Sequence, residues 1–187
     1  MIPVLLGLGS NAEFGGRSCI ELLATAGCRL ASLLTDAVFS SVYESKAMYV
    51  TKQANFYNMA AKGFVPDGTD PFALLSDLNA IEAELGRDRS KEIRFGPRSM
   101  DIDIEEFGAQ VIDTPRLQVP HPRMREREFV LIPALEILDE SADCKIRETL
   151  FAYARALPSQ GVAKCPEQIQ TSFRSLLEGG IHGSKSC

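Results

Sequence analysis

Between residues 100 and 104 the chain reads Met100-Asp101-Ile102-Asp103-Ile104, an alternation of apolar and acidic residues with the period of a β-strand. Asp101 and Asp103 therefore project from one face, and Met100, Ile102 and Ile104 from the other. Two carboxylates held so close repel each other at neutral pH. They require a buried basic side chain, a shared proton, or hard divalent cations such as Mg²⁺, which prefer oxygen ligands. The preceding Arg94-Phe95-Gly96-Pro97-Arg98 places guanidinium groups on a loop that Gly96-Pro97 turns, and such groups suit phosphate oxygens in bidentate geometry. Arginines beside paired aspartates point to metal-assisted phosphoryl chemistry. An isolated Asp-x-Asp is more often the solvated face of an antiparallel sheet; the arginine loop shifts the balance toward a site.

The rest of the composition narrows the function class. A net charge of −5 opposes general adhesion to nucleic acid or an anionic membrane. Yet eight of the thirteen arginines fall between residues 87 and 127, which suits a small polyanion. Five cysteines without metal spacing argue against a disulfide framework and for a reducing cytosol. The apolar run Ile2 to Leu8 meets Gly9-Ser10-Asn11 too soon for a signal peptide or a membrane span. A cytoplasmic monomer, bound to neither nucleic acid nor membrane, is expected.

Along the chain, Ile2 to Leu8 reads as a buried strand. Gly7-Leu8-Gly9-Ser10-Asn11 lacks the third glycine of a dinucleotide fingerprint and the lysine of a P-loop, so a tight turn allowing close approach is the better reading of its glycines. A helix is expected from about Arg17 to Leu30, a second strand over Ala37 to Tyr43, a surface loop over Glu44 to Asn55, and a third strand over Phe56 to Val65. Asp70-Pro71 reads as an N-cap and first helical residue, and Gly86 as the end of that helix. Glu82 interrupts its apolar stripe, as a core rim or as a residue pointing into a pocket. Phe129 to Leu138 reads as a short helical or irregular segment broken by Pro133, and another helix lies near Ile146 to Ala156. Residues 1–157 are expected to form one domain. Residues 158–187 form a C-terminal extension, partly helical around Glu167 to Leu177 and loose at its end.

Taken together, Gly7 to Asn11, Phe56-Tyr57-Asn58, Arg94 to Ile104 and Val119-Pro120-His121-Pro122-Arg123-Met124 resemble the 6-hydroxymethyl-7,8-dihydropterin pyrophosphokinases of folate biosynthesis. The resemblance runs from residue 2 to about residue 157. It implies an α+β fold, a ferredoxin-like sandwich with a mixed or antiparallel sheet flanked by helices. It also implies ATP as co-substrate with two Mg²⁺ ions, and transfer of pyrophosphate to the pterin hydroxymethyl group with release of AMP. Asp101 and Asp103 would hold the metal. Arg98 and Arg89 would clamp phosphates, Arg89 from a loop closing over ATP, while Arg94, Ile104, Arg116, His121 and Arg127 would meet the rest of the nucleotide, with Asn79 and Glu82 beside them. Phe95 and Phe129 would sandwich the pterin ring, Asn58 would read its edge, and Ser45, Met48 and Phe56 would complete that side. Phe95 stands where the family commonly has tryptophan, Phe56 where tyrosine is frequent, Asn79 where glutamine is frequent, and Lys46 where proline is typical.

Such a reaction needs no strong general base, and none stands out. Two other classes fit parts of the pattern. A nucleotidyltransferase using Gly9-Ser10 and the aspartates would release pyrophosphate, but those elements lie far apart in sequence. A silent nucleotide- or RNA-binding module would use the arginines, but it leaves the aspartate pair unexplained and the overall acidity opposes RNA.

Overall fold

The computed structural model describes residues 1–48, 52–90 and 96–183. In chain order the elements are β1 (Ile2–Ser10), α1 (Cys19–Leu33), β2 (Thr35–Phe39), β3 (Tyr43–Ser45), β4 (Phe56–Val65), α2 (Pro71–Glu84), β5 (Asp101–Phe107), β6 (Ile112–Asp113), β7 (Gln118–Val119), α3 (Glu128–Ile137), α4 (Cys144–Ala156), β8 (Ala163–Lys164) and α5 (Glu167–Gly183). Six strands form one sheet in the order β5-β1-β4-β3-β8, with β2 also on β4, while β6 and β7 pair separately. Every pairing is antiparallel. The expected α+β sandwich is met.

Two apolar clusters cover the two faces of the sheet. Val4, Leu6 and Leu8 of β1 and Ile102 and Ile104 of β5 meet α1, α2 and α5 in one cluster. Leu5 and Ala60 meet α3 and α4 in the other. The alternation is strict because side chains two apart share a face, and it leaves Gly7, Gly9, Asp101 and Asp103 beyond the α3 cluster, at one end of that face.

Local chemistry accounts for three helix boundaries. Ser18 caps α1 reciprocally: its hydroxyl accepts from the Glu21 N–H, and its own N–H donates to the Glu21 carboxylate at 2.8 Å. Asp70 caps α2 by accepting from the Phe72 N–H at 3.0 Å, with Pro71 at the first helical position as expected. Gly86, at φ 94°, takes the left-handed conformation that follows the helix.

Four expectations need correction. The strand read over Ala37 to Tyr43 is two strands, β2 and β3, broken at Ser40-Ser41-Val42. There the Ser40 hydroxyl accepts the Ala60 N–H at 2.9 Å, and Glu136 accepts the Ser41 N–H at 2.9 Å, so side chains stand in for ladder bonds. Glu44 and Ser45, read as loop, belong to β3. Pro133 does not break its segment: α3 runs through it, losing one helical hydrogen bond while burying Val130, Leu131 and Ala134. Gly7 and Gly9 also lie inside β1 and not in a turn.

The C-terminal extension is docked. β8 pairs with β3, and α5 lays Phe173 and Leu177 into the α1 cluster, running on to Gly183. Among the described residues no helix is long and apolar enough to cross a membrane.

Candidate active site

The register of three central strands builds the floor of a cavity of about 240 Å³. On β5, Asp101, Asp103 and Glu105 point the same way. Opposite them on β1, Gly9 faces Asp101 and Gly7 faces Asp103, and on the far side Gly9 faces Asn58 of β4. The glycines keep this floor open. A Cβ on Gly7 would stand 2.8 Å from Oε1 of Glu105, and one on Gly9 would stand 3.4 Å from Oδ1 of Asn58.

Arginines close over the carboxylates. Arg87 Nη1 lies 2.5 Å from both Glu82 Oε1 and Asp101 Oδ1, and Arg98 Nη1 lies 2.8 Å from the other Asp101 oxygen. Burial pushes the Asp101 carboxyl up, but Arg87 and Arg98 outweigh it and hold it below the ordinary aspartate range. Asp103 is held more loosely, with Arg127 Nη1 at 3.5 Å and His121 Nε2 at 4.0 Å. Burial and the neighbouring Asp101 charge push it up to about 7. Of the three means of offsetting paired carboxylates, arginines hold Asp101, while Asp103 keeps open coordination space.

Glu105 is a third carboxylate on this face, 1% exposed, and neither of its oxygens has a hydrogen-bond partner among the described residues. The His121 ring lies beside it, with Nδ1 at 3.8 Å. Burial and the Asp103 charge push Glu105 well above the usual range. Burial, then Arg127, pushes His121 down to about 4; its Nδ1 accepts the Arg123 N–H at 3.3 Å. The neutral ring is thus oriented with Nε2 toward Asp103.

These shifts set a stability signature. Asp103 and Glu106 titrate at about 7 in the folded chain and near 4 in an unfolded one, so between those values the folded state holds more protons and stability falls as pH rises. His121 acts oppositely, but only between its folded value of about 4 and its ordinary 6.5. Above that the acids act alone. The melting temperature of the metal-free protein is expected to fall between pH 6.5 and 8 by differential scanning calorimetry; a constant or rising value would count against these environments.

At the other end of the cavity, Asn58 donates through Nδ2 to Ser45 Oγ at 2.9 Å. Ser45, Met48, Phe56, Asn58 and Phe129 line that half, the last from the first turn of α3. Arg89, Arg98, Asp101, Asp103, His121 and Arg127 line the acidic half. Eleven of the residues singled out in the sequence thus line one cavity.

Other expected site residues sit elsewhere. Glu82, 1% exposed, is not a wall of the cavity. It accepts from Arg87, from Arg89 at 2.5 Å and from the Ile102 N–H at 2.7 Å, although burial still pushes its carboxyl up. Asn79 Oδ1 accepts from Arg89 at 2.8 Å. Both act by holding arginines. Ile104 packs into the core on the opposite face, as its place in the alternation requires. Arg116 is exposed, with its guanidinium 5.6 Å from the Phe72 ring. Arg94 and Phe95 lie outside the described residues.

Arg87, Glu105 and Asn11 escaped the sequence reading as site residues. Asn11 ties the site's loops together: it accepts the Arg98 N–H at 2.8 Å and donates to Gln53 Oε1 and the Ala54 carbonyl at 3.1 and 3.2 Å. Its position directly after Gly-x-Gly-Ser was the available signal. For Glu105 the signal was simpler, since the period of two continues one step past Asp103.

Residues 5–139 match the family model described as 7,8-dihydro-6-hydroxymethylpterin-pyrophosphokinase (HPPK). The chain is 42% identical over 135 residues to a 2-amino-4-hydroxy-6-hydroxymethyldihydropteridine pyrophosphokinase of Bacillus subtilis, covering 72% of this chain and 77% of that protein. It is 37% identical over 166 residues to the protein of that name from Pseudomonas aeruginosa, covering 87% and 96%. Among solved structures, a Plasmodium falciparum HPPK-DHPS chain superposes with a TM-score of 0.59 at 14% identity, over 82% of this chain and 45% of that one, a likeness of fold. On a family match spanning most of its length, and on relatives well above 30% identical, the chain belongs to the 7,8-dihydro-6-hydroxymethylpterin-pyrophosphokinase family.

Proposed function

We propose that the acidic half of the cavity binds the triphosphate of ATP and the Asn58 half binds the pterin, so that the two substrates meet over Gly7 and Gly9. The activity is that of the family: transfer of pyrophosphate from ATP to the hydroxymethyl group of 6-hydroxymethyl-7,8-dihydropterin, with release of AMP, in folate biosynthesis. The observation that carries the division of the cavity is the meeting in one space of Asp101, Asp103 and four arginines with an apolar, amide-bearing wall.

The donor set fits Mg²⁺. Among the described residues no three His, Cys, Asp or Glu side chains converge to hold an ion alone. Two carboxylates completed by phosphate oxygens are what this cation takes. When bound, Mg²⁺ supplies neutralisation of triphosphate charge and acidification of a coordinated hydroxyl. Asp101 and Asp103 would hold it, and the count of two ions rests on the family resemblance.

The protein's own groups account for the remainder. The hydroxymethyl oxygen attacks the β-phosphorus and loses its proton to solvent, the bond from that phosphorus to the oxygen bridging it to the α-phosphorus breaks, and AMP leaves with that oxygen. Arg87, Arg98 and Arg127 stand where negative charge spreads over the transferred group, and phosphate oxygens compete for them with Asp101 and Asp103. Arg89, 57% exposed at its side chain, sits at the mouth, placed to shut out water that would otherwise take the phosphoryl group. Phe129 offers the pterin a flat apolar face. Asn58 offers its edge an acceptor, the carbonyl oxygen, held in place by the amide's bonds to Ser45 Oγ and the Phe56 carbonyl.

Removing the Asn58 amide leaves pterin polar groups unmatched. Asn58→Ala is expected to raise the pterin KM by about tenfold to a hundredfold, with the KM for ATP nearly unchanged in steady-state assays. A similar rise in both would place Asn58 elsewhere. The whole reading is tested by incubating the protein with ATP, Mg²⁺ and the hydroxymethyl dihydropterin and identifying the adenine nucleotide: AMP is expected, and ADP, or no conversion, overturns it. We read the protein as a cytoplasmic monomer acting on these small molecules; its net charge of −5 disfavours nucleic acid or anionic membranes as partners.

A further inference from the structure

The segment after α4 lies beyond the family match, which ends at residue 139, yet it reaches back to the wall of the cavity. Its central contact is Gln170, 2% exposed. The Val42 N–H donates to Gln170 Oε1 at 3.0 Å, and Gln170 Nε2 donates to the Val42 carbonyl at 2.7 Å and the Cys165 carbonyl at 3.2 Å. The Cys165 N–H reaches the same Val42 carbonyl at 3.0 Å. Val42 is fully buried, so the C-terminal segment satisfies both of its backbone polar groups.

Val42 is the residue before β3, a strand of three residues that pairs with β4 on one side and β8 on the other. Lys164 of β8 adds a 2.9 Å contact to Glu136, the carboxylate that also accepts from the Ser41 hydroxyl at 2.7 Å and the Tyr43 hydroxyl at 3.1 Å. The last residue of β3 is Ser45, which fixes the Asn58 amide, and Lys46 and Met48 on the cavity wall follow directly. A strand so short, paired on one edge alone, has little to hold its register.

We infer that residues 163–183 are a positioning device for the pterin half of the cavity, with Gln170 the positioning residue that sets β3 through Val42 and thereby aims Ser45 and Asn58. This rests on the reading of the Asn58 half as the pterin side. Gln170 touches no substrate; it acts two steps away. Its removal should therefore weaken pterin binding selectively, because Asp101 and Asp103 stand on β5 beside β1, and among the described residues Gln170 makes no hydrogen bond to either strand.

The test uses the full chain carrying Gln170→Met, which keeps length and bulk and loses all three hydrogen bonds. The pterin KM is expected to rise about tenfold, with kcat and the KM for ATP within about twofold. In parallel, hydrogen exchange should quicken at Tyr43 to Lys46 and stay slow in β1 and β5. Unchanged constants, a proportional rise in both KM values, or a variant that does not fold would each overturn the inference, the last two by making the segment a stabiliser of the whole domain. Wild-type protein that forms no AMP would instead overturn the reading beneath it, a result distinguishable from active wild type with an indifferent Gln170→Met.

Discussion

Asp103→Ala is expected to lower kcat by roughly 10³-fold, the several kcal/mol of charge stabilisation that a lost metal-binding carboxylate represents, while the protein stays folded. The second half of that expectation follows from the environment. Asp103 has only a 3.5 Å contact with Arg127 and a 4.0 Å contact with His121 to lose, and its charge, buried and beside Asp101, opposes folding above its titration at about 7. At pH 8 the metal-free variant should melt no lower than the wild type, and by relief of repulsion somewhat higher. Activity and melting temperature measured on one preparation separate the two effects. Near-normal turnover would remove Asp103 from the metal site, and a large drop in melting temperature would make it a structural residue.

Glu82→Ala should do the reverse: a large loss of stability. The Glu82 carboxylate, 1% exposed, accepts from Arg87, Arg89 and the Ile102 backbone. Its removal takes away one of the two carboxylates that hold the Arg87 guanidinium, 6% exposed, and leaves the Ile102 N–H in the interior without its acceptor. Breaking a buried pair in this way costs about 3–5 kcal/mol, or roughly a 10 °C fall in melting temperature for a chain of this size. Glu82→Gln retains an acceptor for the Ile102 N–H and should lose less. A melting temperature within a degree or two of wild type for Glu82→Ala would mean that Arg87 is held by Asp101 alone.

The contrast between these two acids shows what could be read in the chain. The aspartate pair was legible because a period of two fixes faces without knowledge of any neighbour, and the caps at Ser18 and Asp70 and the stop at Gly86 are equally local. Glu82 was legible only as an anomaly in an apolar stripe. Whether it faced a nucleotide or an arginine depended on Arg87 folding back along the same helix end, which no periodicity encodes. The break between β2 and β3 was still less accessible. It is held by Glu136, 95 residues from Ser41, and by Gln170, 128 residues from Val42, so the sequence around Ser40 has no local reason to stop being a strand. Pro133 misled for a related reason, since the burial of α3 against Leu5 and Ala60 outweighs one missing hydrogen bond. Gly7 and Gly9 looked like turn residues because what they make room for, Glu105 and Asn58, comes from two other strands.

On the proposed function, Mg²⁺ and the triphosphate together complete the carboxylate face of β5. Calorimetric titration with a nonhydrolysable ATP analogue at pH 7, run with and without Mg²⁺ in two buffers of different ionisation enthalpy, tests it most directly. Binding at least about tenfold tighter with Mg²⁺ is expected, accompanied by proton release as Asp103 ionises, with loss of both in Asp103→Ala. Equal affinity without the ion, or Mg²⁺-dependent binding and proton release that survive in Asp103→Ala, would contradict it.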